Sequence, residues 1–182
     1  MSDIQTPSSP AKVALPFGVF FGLFVTIITM TIYFLDINMY EDKTIGVVVG
    51  LLTYLILPIT FIILAVKTFK DKHNEGFLSV VDGLKIGVIV CLIMAIISGI
   101  FNQLYFLIFP EHLEKMFTLM EENMVKQSPN MTQEQLNGAM EISKKFMSPW
   151  ITIPISIAIF SFIGMLYGAI IGLIFKNERP VF

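Results

Sequence analysis

Two histidines, one cysteine, a row of glutamates and two adjacent amides are the residues here best suited to chemistry. His73 and His112 are the only histidines, and neither sits in a His-Glu-x-x-His run that would present two ligands and a base on one helix face. Cys91 is the sole cysteine, so it closes no disulfide within the chain, and amid Val90 and Leu92 it reads as a small buried hydrophobe. Glu111, Glu114, Glu121 and Glu122 form an acidic stripe that attracts divalent cations. The stripe lacks the Gly-turned loop of a dedicated calcium site, and Glu111 with Lys115 at i,i+4 fits a solvated helix face better. There is no Gly-x-Ser-x-Gly elbow and no phosphate-cradling P-loop. Asn102 and Gln103 remain: they can bind a polar ligand or bond across helices, and the second use is expected because an amide in apolar surroundings needs a partner. The expectation is a chain with no catalytic residue, no metal site, no cofactor and no enzymatic activity.

The elements that carry these residues are unusual. Val13–Leu35, Thr44–Val66, Ile86–Phe109 and Trp150–Phe175 contain no Asp, Glu, Lys, Arg or His, so all charges of the 182 residues fall outside them. About 20 apolar residues cross a bilayer as a helix, and each run is long enough. Their residues do not alternate as the strands of a membrane barrel would, and inside hydrocarbon the backbone must pair within its own segment. Four spans are therefore predicted. This excludes a soluble or disordered protein, and the net charge of −2 offers no basic field for nucleic acid. The first run exceeds a signal peptide's apolar stretch and is read as a retained span, preceded by a Ser- and Pro-rich disordered tail over residues 1–12.

An eight-residue loop, Asp36–Lys43, makes the first two spans an antiparallel pair. Lys12, Lys67, Lys70, Lys72, Lys85, Lys176 and Arg179 belong to the two tails and the Lys67–Lys85 loop, against Lys43, Lys115, Lys126, Lys144 and Lys145 on the other side. Cytoplasmic loops carry the excess of Lys and Arg, so both termini, including the tail 176–182, are expected in the cytoplasm. The Lys144-Lys145 pair argues the other way.

The loop Pro110–Pro149 has helical periodicity. Leu113, Met116, Phe117, Met120 and Met124 share one arc. Ser128-Pro129-Asn130 breaks the pattern, Thr132 with Gln135 makes a capping box, and Pro149 ends the second helix. The fold class is thus an all-α membrane protein: four transmembrane helices in a bundle, residues 13–175, plus an extracytoplasmic two-helix amphipathic hairpin between spans 3 and 4. Six of the 11 methionines lie in this hairpin, and Met suits changing surfaces. Leu113, Phe117, Met120 and Met124 are the candidate interface, either for a partner or for the hairpin's own second helix.

Glycines recur at spacing four: Gly18/Gly22, Gly46/Gly50, Gly83/Gly87 and Gly164/Gly168/Gly172. Such stripes let helix backbones approach closely, within one chain or across a homo-oligomer. The pairs opening spans 1 and 3 form a weak internal echo. Pro58 leaves the carbonyl of Tyr54 without its helical donor, with Thr53 or Thr60 available to compensate.

The segment Lys67-Thr68-Phe69-Lys70-Asp71-Lys72, then Asn74-Glu75-Gly76-Phe77, then Gly83-Leu84-Lys85-Ile86-Gly87, followed by an acidic, Met-rich loop and a Gly-rich last span, resembles the bacterial four-span membrane proteins grouped as domain of unknown function 4199. In such proteins a second Gly often stands where this chain has Glu75. The resemblance implies a multi-pass protein of a bacterial inner membrane and supplies no catalytic residue. Two function classes stay open: a non-enzymatic scaffold that binds lipid, a second copy or another membrane protein, and a small oligomeric transporter or channel.

Overall fold

The computed structural model describes residues 9–37 and 43–178. The leader up to residue 8, residues 38–42 of the first loop and residues 179–182, with Arg179, lie outside the described residues. Among the described residues six helices follow one another: α1 Pro10–Phe34, α2 Lys43–His73, α3 Val80–Ile108, α4 Pro110–Gln127, α5 Gln133–Phe146 and α6 Pro149–Phe175. Among the described residues there is no strand, only an isolated antiparallel bridge between Leu78 and Asn177. Helices α1, α2, α3 and α6 are each long and apolar enough to cross a membrane. The chain is an all-helical, multi-pass membrane protein.

Caps set several boundaries. The Ser9 hydroxyl accepts from the Ala11 N–H at 3.2 Å, and Pro10 takes the first helical position, where its missing N–H costs nothing. Pro10, Ala11 and Lys12 therefore belong to α1 and not to a disordered tail. Ser79 and Asp82 form a reciprocal capping box, with the Asp82 N–H donating to the Ser79 hydroxyl at 3.1 Å and the Ser79 N–H to the Asp82 carboxylate at 3.2 Å. This starts α3 at Val80, so the helix opens within 77–85, ahead of the uncharged run that begins at Ile86. Thr132 and Gln135 make the expected box on α5.

Helix α3 is the centre of the packing, running against α1 on one side and α6 on the other, while α2 makes smaller contacts with all three. The α3–α6 contact is made by backbone. Gly83 faces Gly172, Gly87 faces Gly168, and Cys91 continues the row opposite Gly164. A Cβ built on Gly83 would lie 2.5 Å from the Gly172 Cα, and one on Gly168 2.6 Å from the Gly83 carbonyl oxygen. Lipid tails are as apolar as the side chains they touch, so close packing, not apolar burial, joins these helices. Gly18 and Gly22 do the same for α1, each against an isoleucine of α3, Ile93 and Ile97. Phe21, Ile62, Val66, Ile86, Val90 and Met94 fill the buried interior.

Helix α2 is irregular. A wide turn over Leu52–Ile56, in which the Leu57 N–H reaches back to the Leu52 carbonyl, precedes Pro58. Residues from Lys43 to Ile56 include none that is buried, so this half of α2 stands away from the core. The Thr60 hydroxyl turns back to the Ile56 carbonyl at 2.8 Å. The Tyr54 carbonyl is met by a residue of α6 instead, a partner that local spacing does not disclose.

Candidate functional site: a lateral cleft beside α4 and α5

The end of α3, the start of α6 and the α4–α5 pair enclose a cleft of about 610 Å³. Its walls are largely apolar: Ile100, Leu104 and Leu107 from α3, Leu113 and Phe117 from α4, and Ile153 from α6. Three polar residues enter it, Gln103, Lys144 and Ser148. The Lys144 ammonium lies 5.6 Å from the centre of the Phe117 ring, a cation–π contact that joins α5 to α4. Volume and composition match those of ligand clefts, which are mostly apolar with a few placed polar groups.

Of the four residues expected at an interface, Leu113 and Phe117 line this cleft. Met120 and Met124 are half-buried farther along α4. On α5, Leu136 and Met140 are buried, whereas Ile142 and Phe146 are exposed. The two amides divide their roles. The Asn102 side chain donates to the Tyr33 hydroxyl at 3.1 Å, linking α3 to α1, and its neighbour Gln103 lines the cleft.

Beside the cleft, α1, α3 and α4 meet in an aromatic cluster. Tyr33 stacks on Tyr105 at 5.0 Å, and Phe34, Phe106 and Phe109 close around them. The Tyr105 hydroxyl is hydrogen-bonded to Nδ1 of His112. At the cluster's edge Lys115 and Asp36 form an ion pair at 2.8 Å. Hydrogen bonding and charge from Lys115 hold the Asp36 carboxyl below its ordinary value of 3.8. On α5, Lys145 pairs with Glu141 at 2.8 Å, which lowers the Glu141 carboxyl and raises the Lys145 ammonium, in both cases chiefly through that hydrogen bond.

His73 sits at the opposite end of α3's length, about 40 Å away at 1.5 Å per residue. Among the described residues no three of His, Cys, Asp and Glu come together. That opposite end is closed by backbone bonds. Leu78 and Asn177 exchange N–H to carbonyl bonds at 2.8 and 2.9 Å, the Asn177 side chain donates to the Gly76 carbonyl at 2.8 Å, and the Lys70 ammonium caps the Phe175 carbonyl of α6 at 3.1 Å. Gly76 has φ of +82° and Glu75 +53°, both in the left-handed region that makes the reversal.

The expected glycine stripes are distributed unequally. Gly83, Gly87, Gly164, Gly168 and Gly172 meet each other across α3 and α6, and Gly18 and Gly22 meet α3. Gly46 lies in the half of α2 that stands apart, where it is half-buried, and a Cβ on Gly50 would touch nothing within 4 Å. Lys144 and Asn177 are the residues that sequence reasoning misses. Phe117 and Leu78, their partners, lie on other elements, so no local spacing announces them. The Ser79-Val80-Val81-Asp82 capping signal, in contrast, was there to be read.

A model of the family described as "Protein of unknown function (DUF4199)" matches residues 16–177. No curated protein and no solved structure matches the chain.

Proposed function

We propose, for a chain that belongs to the family described as Protein of unknown function (DUF4199), that it is a non-enzymatic membrane protein that holds an apolar occupant, a lipid or a segment of a membrane partner, in the cleft beside α4 and α5. The observation that carries this is the cleft itself, about 610 Å³ of mostly apolar wall with Leu113 and Phe117 on one side and Leu104 and Leu107 on the other. It sits where spans end and amphipathic helices begin, the depth at which polar and apolar parts of an amphiphile separate.

The orientation that goes with this function places both termini in the cytoplasm of a bacterium, the four long helices as a bundle in its inner membrane and the α4–α5 pair outside. Lys67, Lys70, Lys72, Lys85 and Lys176 at the end opposite α4 and α5 support it. A reporter fluorescent only in the cytoplasm, fused after Phe182, is expected to be bright, and a reporter active only after export is expected to work within residues 128–132. The reverse pattern overturns the orientation. For the binding function, photo-crosslinking groups at Leu107 and Phe117 are expected to capture a lipid or a partner chain in native membranes, and the same group at Val48 on the outlying half of α2 serves as the comparison. Equal capture at all three positions overturns it.

A further inference from the structure

We infer that the cleft's occupant is an anionic phospholipid, with its phosphate at Lys144 and an acyl chain lying along Leu107 and Ile100. This rests on the cleft being a binding site, as proposed above.

Lys144 of α5 and Ser148, the cap of α6, line the cleft together with the apolar Leu104, Leu107, Ile100 and Ile153, and Gln103 is the polar residue that α3 adds. From Ile108, the last residue of α3, back to Ile100 is eight residues, about 12 Å along the helix. That is most of one leaflet of a hydrocarbon core about 30 Å thick. The Gln103 side chain has no hydrogen-bond partner among the described residues and stands about 7.5 Å inside the end of α3, a polar point along the path of the chain.

Charge selects the head group. Lys115 is neutralised by Asp36 and Lys145 by Glu141. Lys144, between cleft and surface, has no ion-pair partner among the described residues and rests on the Phe117 ring. Glu121 and Glu141 border a smaller hollow on its other side, and Glu141 is already held by Lys145. An anionic phosphate completes Lys144, whereas a zwitterionic head brings a second cation toward it. A leaflet lipid also enters sideways, which Leu107, 78% exposed, permits.

The test uses the full chain in nanodiscs of equal phosphatidylglycerol and phosphatidylcholine with identical acyl chains, released and counted by native mass spectrometry. The wild type is expected to retain phosphatidylglycerol in excess. K144E is expected to lower that retention about three- to fivefold, as for a partly exposed ion pair, and K144R to preserve it. L107W, which fills the cleft from an exposed position, is expected to remove both lipids, with L104W as a second filling variant and circular dichroism reporting the fold of each. If K144E and wild type share the same preference while L107W removes lipid, the cleft binds but the head-group assignment is overturned. If neither filling variant changes lipid retention, the binding function itself fails. If they abolish a dimer instead, the occupant is a second copy and the proposal falls.

Discussion

The Tyr167 hydroxyl on α6 donates to the Tyr54 carbonyl on α2 at 3.0 Å, supplying the donor that Pro58, four residues after Tyr54, lacks. The Tyr54 ring lies parallel to Phe160 at 5.4 Å, so the same residue is held twice by α6. Tyr167→Phe keeps the ring and removes the bond. Interhelical hydrogen bonds in membranes average about 0.6 kcal/mol, up to about 1.7, and a loss in that range is expected in detergent unfolding. In a Pro58→Ala background the restored N–H serves Tyr54, and the loss is expected to shrink. An equal loss in both backgrounds would show that the hydroxyl acts elsewhere.

The glycine row predicts a contrast between two chemically identical changes. Gly168→Ala places a methyl 2.6 Å from the Gly83 carbonyl oxygen, a backbone atom with no side chain to move aside. Overpacking of this kind costs about 1–3 kcal/mol. Gly50→Ala meets nothing within 4 Å and gains about 0.5–1 kcal/mol from helix propensity. Thermal midpoints of the two purified variants are expected to move in opposite directions.

Asn177 holds the loop at residues 74–78 by backbone and side chain together. Asn177→Ala removes the bond to Gly76 and leaves the bridge to Leu78, a loss of about 1 kcal/mol. Asn177→Pro also removes the N–H that donates to the Leu78 carbonyl. Amide exchange at Leu78 and protease cutting within 74–79 are expected to rise in that order. Unchanged protection in the Pro variant would mean the bridge contributes nothing.

Glu75 carries φ of +53°, in the left-handed region that favours glycine. The left-handed conformation costs an L residue about 1–2 kcal/mol, partly offset because glycine loses more chain entropy on folding, about 0.5–1 kcal/mol. Glu75→Gly is expected to raise the thermal midpoint slightly and Glu75→Val to lower it. A lowered midpoint in the glycine variant would show that the Glu75 side chain contributes more than its strain.

Acid is expected to loosen the link between α4 and the residues after α1. Lys115 lowers the Asp36 carboxyl below 3.8, so the pair's contribution is complete above that ordinary value and is lost as pH falls through the depressed one. Glu141 follows the same sign from its ordinary value of 4.5, and the contribution of Lys145 is lost only as pH rises past a value above 10.5. A carbon-detected titration of Asp36 is expected to show its midpoint move up in Lys115→Ala. An unmoved midpoint would mean the pair does not persist in solution.

The spans were legible because a bilayer enforces a simple rule: an uncharged run of sufficient length is a helix. Capping chemistry at Thr132 and Gln135 was equally local. The partner of the Tyr54 carbonyl was not, because a hydroxyl on α6 and a carbonyl on α2 meet only after folding, and the nearby Thr60 satisfies its own helix. Gly50 stands at the same spacing from Gly46 as Gly87 from Gly83, yet a Cβ on Gly50 meets nothing within 4 Å whereas Gly83 and Gly87 face another backbone. Spacing states that close approach is permitted, and only tertiary arrangement decides whether it occurs. The cleft needed four elements at once, so no segment could announce it.

The glycine row has a consequence for biogenesis. Helix α3 emerges from the ribosome before α6, which follows it by about 40 residues. Until then the groove over Gly83 and Gly87 faces lipid, and the loop at residues 74–78 waits for Asn177. Synthesis of α6 and Asn177 therefore completes both the glycine-lined helix pair and the latch at its end, so a nascent chain stalled before α6 lacks both. Quality-control proteases would meet it with an open backbone groove, a vulnerability that closes in a single late step.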